Sequence, residues 1–466
     1  FFLYKRFSRS MAFSRFYRPF ILLTVFSFES CALIFFHSAA VVSGRPNADF
    51  TPVSTLAPTA TRTKTEKQDS FPSALDLIAS DDSTKWTKLV DLTCRLPPEV
   101  QSFNKANPDS KITLLGKCEF SNPGMSHKDR IAKAMLMAAE KRGDLTAPDG
   151  TKKTILAASS GNTGCSLALI GTLMGYEVVV ITNAKCSMEK RVHIQSNGAT
   201  LWMAEELPDQ FPTEIGTEGD YIKQEDLLAA AFPDRFYSVN QYANPDNAAA
   251  HFGSTGREIW EQTKGRVTHF VMAGSTGGTI MGVGQYLKEQ ARKLNKGGKR
   301  VEVVLADPEK SHLHALVHGR IHGLEAGSQA LTGVDALIEA TGEVQVEGAG
   351  KTSLTGIMAA GEKGAVLKHV DYAISVNDFD AFEECRATAQ VGFLVGGSSG
   401  LNICAAQAVA RRCALEEPPR KGGVTIVTLL CDHGIKYLSK VKETRPFVVS
   451  KKGGWSFWLT VTFMQA

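Results

Sequence analysis

The chain has 466 residues, 43% of them hydrophobic and 21% charged, close to the balance of ordinary globular proteins, which excludes a fibrous or wholly disordered chain. The formal net charge is +4. Residues 1–75 hold nine Lys/Arg against four Asp/Glu, so the rest is close to neutral and offers no basic surface for nucleic acid. The nine cysteines form no CxxC pair and no cluster with zinc spacing, so they read as reduced core residues.

The first 75 residues read as a targeting leader. From Met11, basic Arg15 and Arg18 precede an apolar run from Ile21 to Val42 that ends near Ser38-Ala39-Ala40, the layout of a secretory signal. Glu29 interrupts the run, which argues against a stable membrane span. Thr51–Ser70 has eight Ser/Thr and resembles a transit peptide. The pair resembles the bipartite leader that directs proteins into complex plastids, so a plastid address is expected, with the secretory pathway or mitochondrion as alternatives.

Beyond Leu75, β-rich runs alternate with helical stretches. Asn122-Pro-Gly is a turn, and Ser126 is a candidate N-cap for a helix over Lys128–Arg142. Thr154–Ala157 reads as a strand, Asn162–Met174 as a helix, Glu177–Thr182 as a buried strand, Met188–Ser196 as a helix and Thr200–Met203 as a strand. His269–Met272 leads through a glycine loop into a helix ending near Lys288, followed by a strand at Val301–Ala306. Asn295–Arg300 reads as a surface loop and His312–Val344 as a longer surface insertion. A helix over Leu401–Arg412 and a buried strand at Gly423–Leu430 complete the pattern. Continuous Val/Ile runs between helices imply α/β architecture, with parallel sheets covered by helices on both faces.

Four short stretches carry the chemistry. Lys128 opens a helix, where a cation opposes the macrodipole, so its position invites a functional reason; a solvated lysine beside Asp129 is the plain alternative. Ser159-Ser-Gly-Asn-Thr-Gly164 and Gly274-Ser-Thr-Gly-Gly-Thr279 each join a strand to a helix. Backbone N–H groups there suit a carboxylate and a phosphate respectively. Gly396-Gly-Ser-Ser-Gly400 precedes the late helix and alone reads as a flexible turn.

In this order, the Lys-Asp-Arg helix start, SGNTG, the GGT loop and GGSSG resemble the cysteine synthase and cystathionine β-synthase family of fold type II pyridoxal-phosphate enzymes, related to the tryptophan synthase β fold. The resemblance covers about Lys85–Pro446. It extends to Gln241-Tyr-Ala-Asn-Pro245, His251 with Thr255-Gly-Arg-Glu-Ile-Trp260, Val346-Glu-Gly-Ala-Gly350 and Cys431-Asp-His-Gly-Ile-Lys-Tyr-Leu-Ser439.

The resemblance implies pyridoxal 5'-phosphate held by Lys128 as an imine, with Lys128 later acting as general base. It implies Asn162 on the cofactor's phenolic oxygen, and Gly274, Ser275, Thr276, Gly277, Gly278 and Thr279 around its phosphate. Ser160, Gly161, Thr163 and Gln241 would bind the amino-acid carboxylate, and Gly348 would line the pocket. His433 aligns with a serine that meets the pyridine nitrogen; a one-residue shift would put Asp432 there. Further departures are Ser275 for a glycine, His127 for a valine, Ser159 for a threonine and Trp86-Thr-Lys-Leu-Val90 for the usual start.

The implied architecture is a large cofactor-binding domain (85–120 with 245–446), a small mobile domain (121–244) and a tail (447–466). The implied reaction is β-replacement, with O-acetylserine and sulfide giving L-cysteine. Serine plus homocysteine, or a weakly catalytic partner-binding relative, are the alternatives. A homodimer and contact with serine acetyltransferase are the expected associations.

Overall fold

The computed structural model describes residues 73–440 apart from 185, 208–210, 212–220, 295–299, 319–343 and 360–366. All lie in the second of two compact units, Phe71–Ala466. The leader through residue 72, most of the 295–300 loop, residues 319–343 of the expected insertion and the 447–466 tail lie outside the described residues.

Among the described residues ten strands form two sheets. They are β1 (Leu89–Asp91), β2 (Ile112–Cys118), β3 (Thr154–Ala158), β4 (Val178–Thr182), β5 (Thr200–Met203), β6 (Phe236–Ser238), β7 (His269–Ala273), β8 (Glu302–Pro308), β9 (Tyr372–Val376) and β10 (Val424–Leu430). The larger sheet has the order β1-β2-β10-β7-β8-β9 and the smaller β5-β4-β3-β6. Every pairing is parallel except β1 with β2. Residues 154–238 thus build one sheet within a chain whose earlier and later parts build the other.

Alternation along the strands explains why both sheets are buried on two faces. In the larger sheet Val271, Val304 and Ile426 enter one apolar cluster, while Phe270, Val303 and Val427 enter another. In the smaller, Ile155 and Val180 face one cluster and Leu156 and Val179 the other. Successive side chains point to opposite faces, so a Val/Ile run without polar interruption requires helices on both sides. Each such side chain contributes about 1.5–3 kcal/mol when fully buried.

Two expectations are corrected. His312–Val344 is not wholly a surface segment: Leu313–Val317 is a short helix, with Leu313 and Leu316 packed into the core. The late helix runs Gly397–Ala414 and begins inside GGSSG, where buried Ser398, Ser399 and Gly400 form its first turn. No helix among the described residues is long and apolar enough to cross a membrane. No His/Cys/Asp/Glu cluster among them suits a metal.

Candidate active site

The motif loops collect at the carboxyl ends of parallel strands, where open α/β sheets form their ligand crevices. SGNTG follows β3, the GGT loop follows β7, and Cys431–His433 follows β10.

Lys128 is the first residue of the helix Lys128–Arg142. His127, the residue before it, makes no side-chain capping bond and itself has helical dihedrals; the Ser126 hydroxyl accepts from the Lys128 N–H at 3.3 Å, as a capping side chain does. Burial lowers the Lys128 ammonium to about 8, and among the described residues no carboxylate forms an ion pair with it. A half-buried, unpaired lysine at a helix start is costly as a cation and well placed as a neutral amine. Its neighbour His127 is anchored through N–H and ring to the Cys431 carbonyl at 3.0 and 3.2 Å. Burial first, then the Lys128 charge, lowers the His127 ring to about 3, so it stays neutral.

Asn162 opens the helix Asn162–Leu173. Its amide is held from both sides: Nδ2 donates to Asp432 Oδ2 at 2.7 Å, and Oδ1 accepts from Lys436 Nζ at 3.0 Å. Tyr437 donates to the same Asp432 oxygen at 2.5 Å. The other oxygen, Asp432 Oδ1, is buried without a partner among the described residues, and a side chain at Gly396 would collide with it. His433 takes the opposite side of this extended segment, as consecutive residues must. Its ring lies edge-on to Phe120, centroids 5.9 Å apart, and its Nδ1 accepts from the Ile435 N–H at 3.2 Å. The polar group offered to Asn162 is therefore Asp432.

The loop expected to take the carboxylate is held by its own hydrogen bonds. Ser159 Oγ accepts from the Gly161 and Gly164 N–H groups at 3.2 and 2.9 Å. Thr163 donates to Gln241 Oε1 at 2.7 Å, joining two of the expected substrate residues, and Ser160 Oγ lies 3.5 Å from the Tyr221 hydroxyl. Gly348 has φ +77° and open space where a Cβ would stand.

The loop expected to take the phosphate meets the start of the 17-residue helix Gly278–Leu294, whose first-turn N–H groups and dipole favour an anion. Gly277 has φ +88°, and a Cβ there would come 2.6 Å from Met358. Asn247, which sequence reasoning missed, ties this loop to the substrate side: its Nδ2 donates to the Gln241 carbonyl at 2.8 Å and to Thr276 Oγ1 at 3.3 Å. Thr279 Oγ1 is 3.1 Å from the buried His251 ring. Gly274 is pinned through its carbonyl by the Gly350 N–H at 2.7 Å. A glycine cradle at a helix start, an uncompensated lysine and an amide held ready fit pyridoxal phosphate in phosphate, aldehyde and phenol.

Comparison with known proteins agrees. Residues 98–432 match the pyridoxal-phosphate dependent enzyme family, and the chain belongs to it, with the fold type II architecture of that class. Within the family it is a cysteine synthase-like enzyme. It is 32% identical over 332 residues to cysteine synthase 2 of Schizosaccharomyces pombe, covering 70% of this chain and 77% of that protein. It is 31% identical over 340 residues to cysteine synthase B of Salmonella typhimurium, covering 72% and 90%. Among solved structures, O-acetyl serine sulfhydrylase isoform 3 of Entamoeba histolytica superposes with TM-score 0.60 at 28% identity, covering 85% of this chain and 97% of that one. The O-acetylserine dependent cystathionine beta-synthase of Helicobacter pylori gives 0.57 at 26% identity, covering 79% and 97%.

Proposed function

We propose that this enzyme makes L-cysteine from O-acetylserine and sulfide. The observation that carries the reading is an uncompensated Lys128 at a helix start, in a fold whose SGNTG and glycine loops are tied together through Gln241 and Asn247. Ser275–Thr279 would hold the cofactor's phosphate, Asn162 its phenolic oxygen and Lys128 its aldehyde carbon. Pyridoxal phosphate, when bound, supplies an electron sink for the substrate's α-carbon.

The protein's residues do the rest. Ser160, Gly161, Thr163 and Gln241 orient the donor's carboxylate. Lys128 Nζ takes the α-proton, acetate leaves from Cβ, sulfide adds there, and Lys128 returns the proton. Acetate asks for little acid catalysis, whereas hydroxide from serine would need a proton donor beside Cβ. The Helicobacter relative supports a second reading, with the same donor but homocysteine as nucleophile. Homodimerisation, contact with serine acetyltransferase and the plastid address belong to the same proposal.

The test compares kcat/KM for O-acetylserine with sulfide, O-acetylserine with homocysteine, and serine with homocysteine. The first should lead by at least about tenfold, roughly 1.4 kcal/mol of transition-state binding. A tenfold lead by either homocysteine pair would overturn the choice.

A further inference from the structure

Lys190 lies in the first turn of the helix Met188–Ser196, which connects β4 to β5. Its side chain is 1% exposed, and it pairs with Glu347, whose side chain is 22% exposed. A cation in a first helical turn opposes the dipole, and burying an ammonium costs several kcal/mol before pairing. The position therefore asks what the charge is for.

Three features surround the ammonium. It sits 4.1 Å over the Tyr437 ring, and Tyr437 reaches Asn162 through Asp432. Glu347 immediately precedes Gly348 of the pocket wall. A methyl group placed on Gly161 would lie 4.0 Å from Lys190 Nζ, so the charge stands beside the loop read as the carboxylate site. The helix does not depend on Lys190 for its docking: Ser187 Oγ donates to the Lys436 carbonyl at 2.8 Å, and Ser439 Oγ donates to Glu189 Oε2 at 2.7 Å.

We propose that Lys190 is a specificity-determining residue for the donor's carboxylate, and that Glu347 is its resident counter-ion. This rests on the reading of Ser160–Thr163 as the carboxylate site. Before substrate arrives, Glu347 and the Tyr437 ring keep the buried ammonium compensated. A carboxylate on the SGNTG loop then shares that ammonium. Glu347 is 22% exposed, so part of its charge is already solvated when a carboxylate shares the ammonium. The pair makes opposite demands on two substitutions. Losing Lys190 removes the attraction, whereas losing the charge of Glu347 removes only a competitor.

The experiment is calorimetric binding of L-serine and of L-serinamide to the holoenzyme. The two share an amine and a side chain and differ only in the carboxylate. Wild type should prefer L-serine. Lys190→Met should reduce that preference about tenfold, equivalent to roughly 1.4 kcal/mol, with serinamide affinity little changed, and Lys190→Arg should restore most of it. Glu347→Gln should keep the preference or enlarge it, and this partly exposed site keeps the test alive if Lys190→Met does not fold. An equal loss for both ligands in Lys190→Met would make Lys190 merely structural and overturn the proposal, as would a reduced preference in Glu347→Gln. If wild type itself shows no preference, the carboxylate-site reading fails. If wild type prefers L-serine and Lys190→Met keeps that preference undiminished, only the role of Lys190 fails.

Discussion

Two residues beyond Lys128, Arg130 enters a buried group of four charges, and Arg130→Met should destabilise the protein strongly. Arg130 donates to Glu119 at 2.7 and 2.8 Å and to Glu258 at 2.5 and 2.9 Å. Lys117 donates to Glu258 at 2.5 Å. All four side chains are at most 1% exposed, so two cations balance two anions away from water. Removing Arg130 leaves one carboxylate uncompensated, at a cost of about 3–5 kcal/mol, a large part of the roughly 5–15 kcal/mol that holds a typical domain.

The pH dependence has a definite sign. Burial alone would raise the Glu119 carboxyl, but the charge and hydrogen bonds of Arg130, with Lys117, hold it below the usual carboxylate range. A depressed carboxylate contributes stability that is present above its unfolded pKa of about 4.3 and is lost as pH falls through its folded value. In Arg130→Met that protection is gone, so the stability gap to wild type should narrow as pH drops below about 5, where an unpaired carboxylate can protonate. Equilibrium urea unfolding at several pH values measures both effects, and Arg130→Met with Glu119→Gln, which leaves the Lys117–Glu258 pair intact, should recover part of the loss. A loss under about 1 kcal/mol at neutral pH, the scale of an exposed pair, would refute the reasoning.

Two further outcomes are expected. Gly277→Ala places a Cβ where φ is +88° and Met358 is 2.6 Å away, so the cofactor's dissociation constant, measured by dialysis and absorbance, should rise at least about tenfold. Because burial lowers Lys128 to about 8, the neutral amine dominates above that pH. Recombination of apoprotein with cofactor should therefore slow about tenfold per pH unit below 8 and level off above it; a rate unchanged between about pH 6.5 and 8.5 would place the attacking amine elsewhere.

Much of this architecture is legible in the sequence where one local signal dominates. The Lys128–Arg142 helix has the bounds expected from its start and from the left-handed Gly143 at its end. The strands β4, β8 and β10 announce themselves as Val/Ile-rich runs, and β3 and β7 as short apolar runs before a glycine loop. Short strands such as β1 and β6 carry too few residues to show a period. The first turn of Gly397–Ala414 reads as a loop because Gly and Ser are poor helix formers, yet tertiary packing makes it helix. Polar partners far apart in sequence were the least visible. Lys190 with Glu347, Asn162 with Asp432 and Arg130 with Glu258 each look solvated when read locally, since charged residues are seldom buried unless paired. The facing of Asp432 and His433 is set by alternation in a two-residue bridge region, which spacing alone cannot orient.

The most direct measurement of the central claim is borohydride reduction of the holoenzyme followed by peptide mapping, which fixes the cofactor on the lysine that carries it. One residue, Lys128, should be modified, with the buried Lys117, Lys190 and Lys436 unmodified. Modification of another lysine, or none in protein that retains its cofactor, would contradict it.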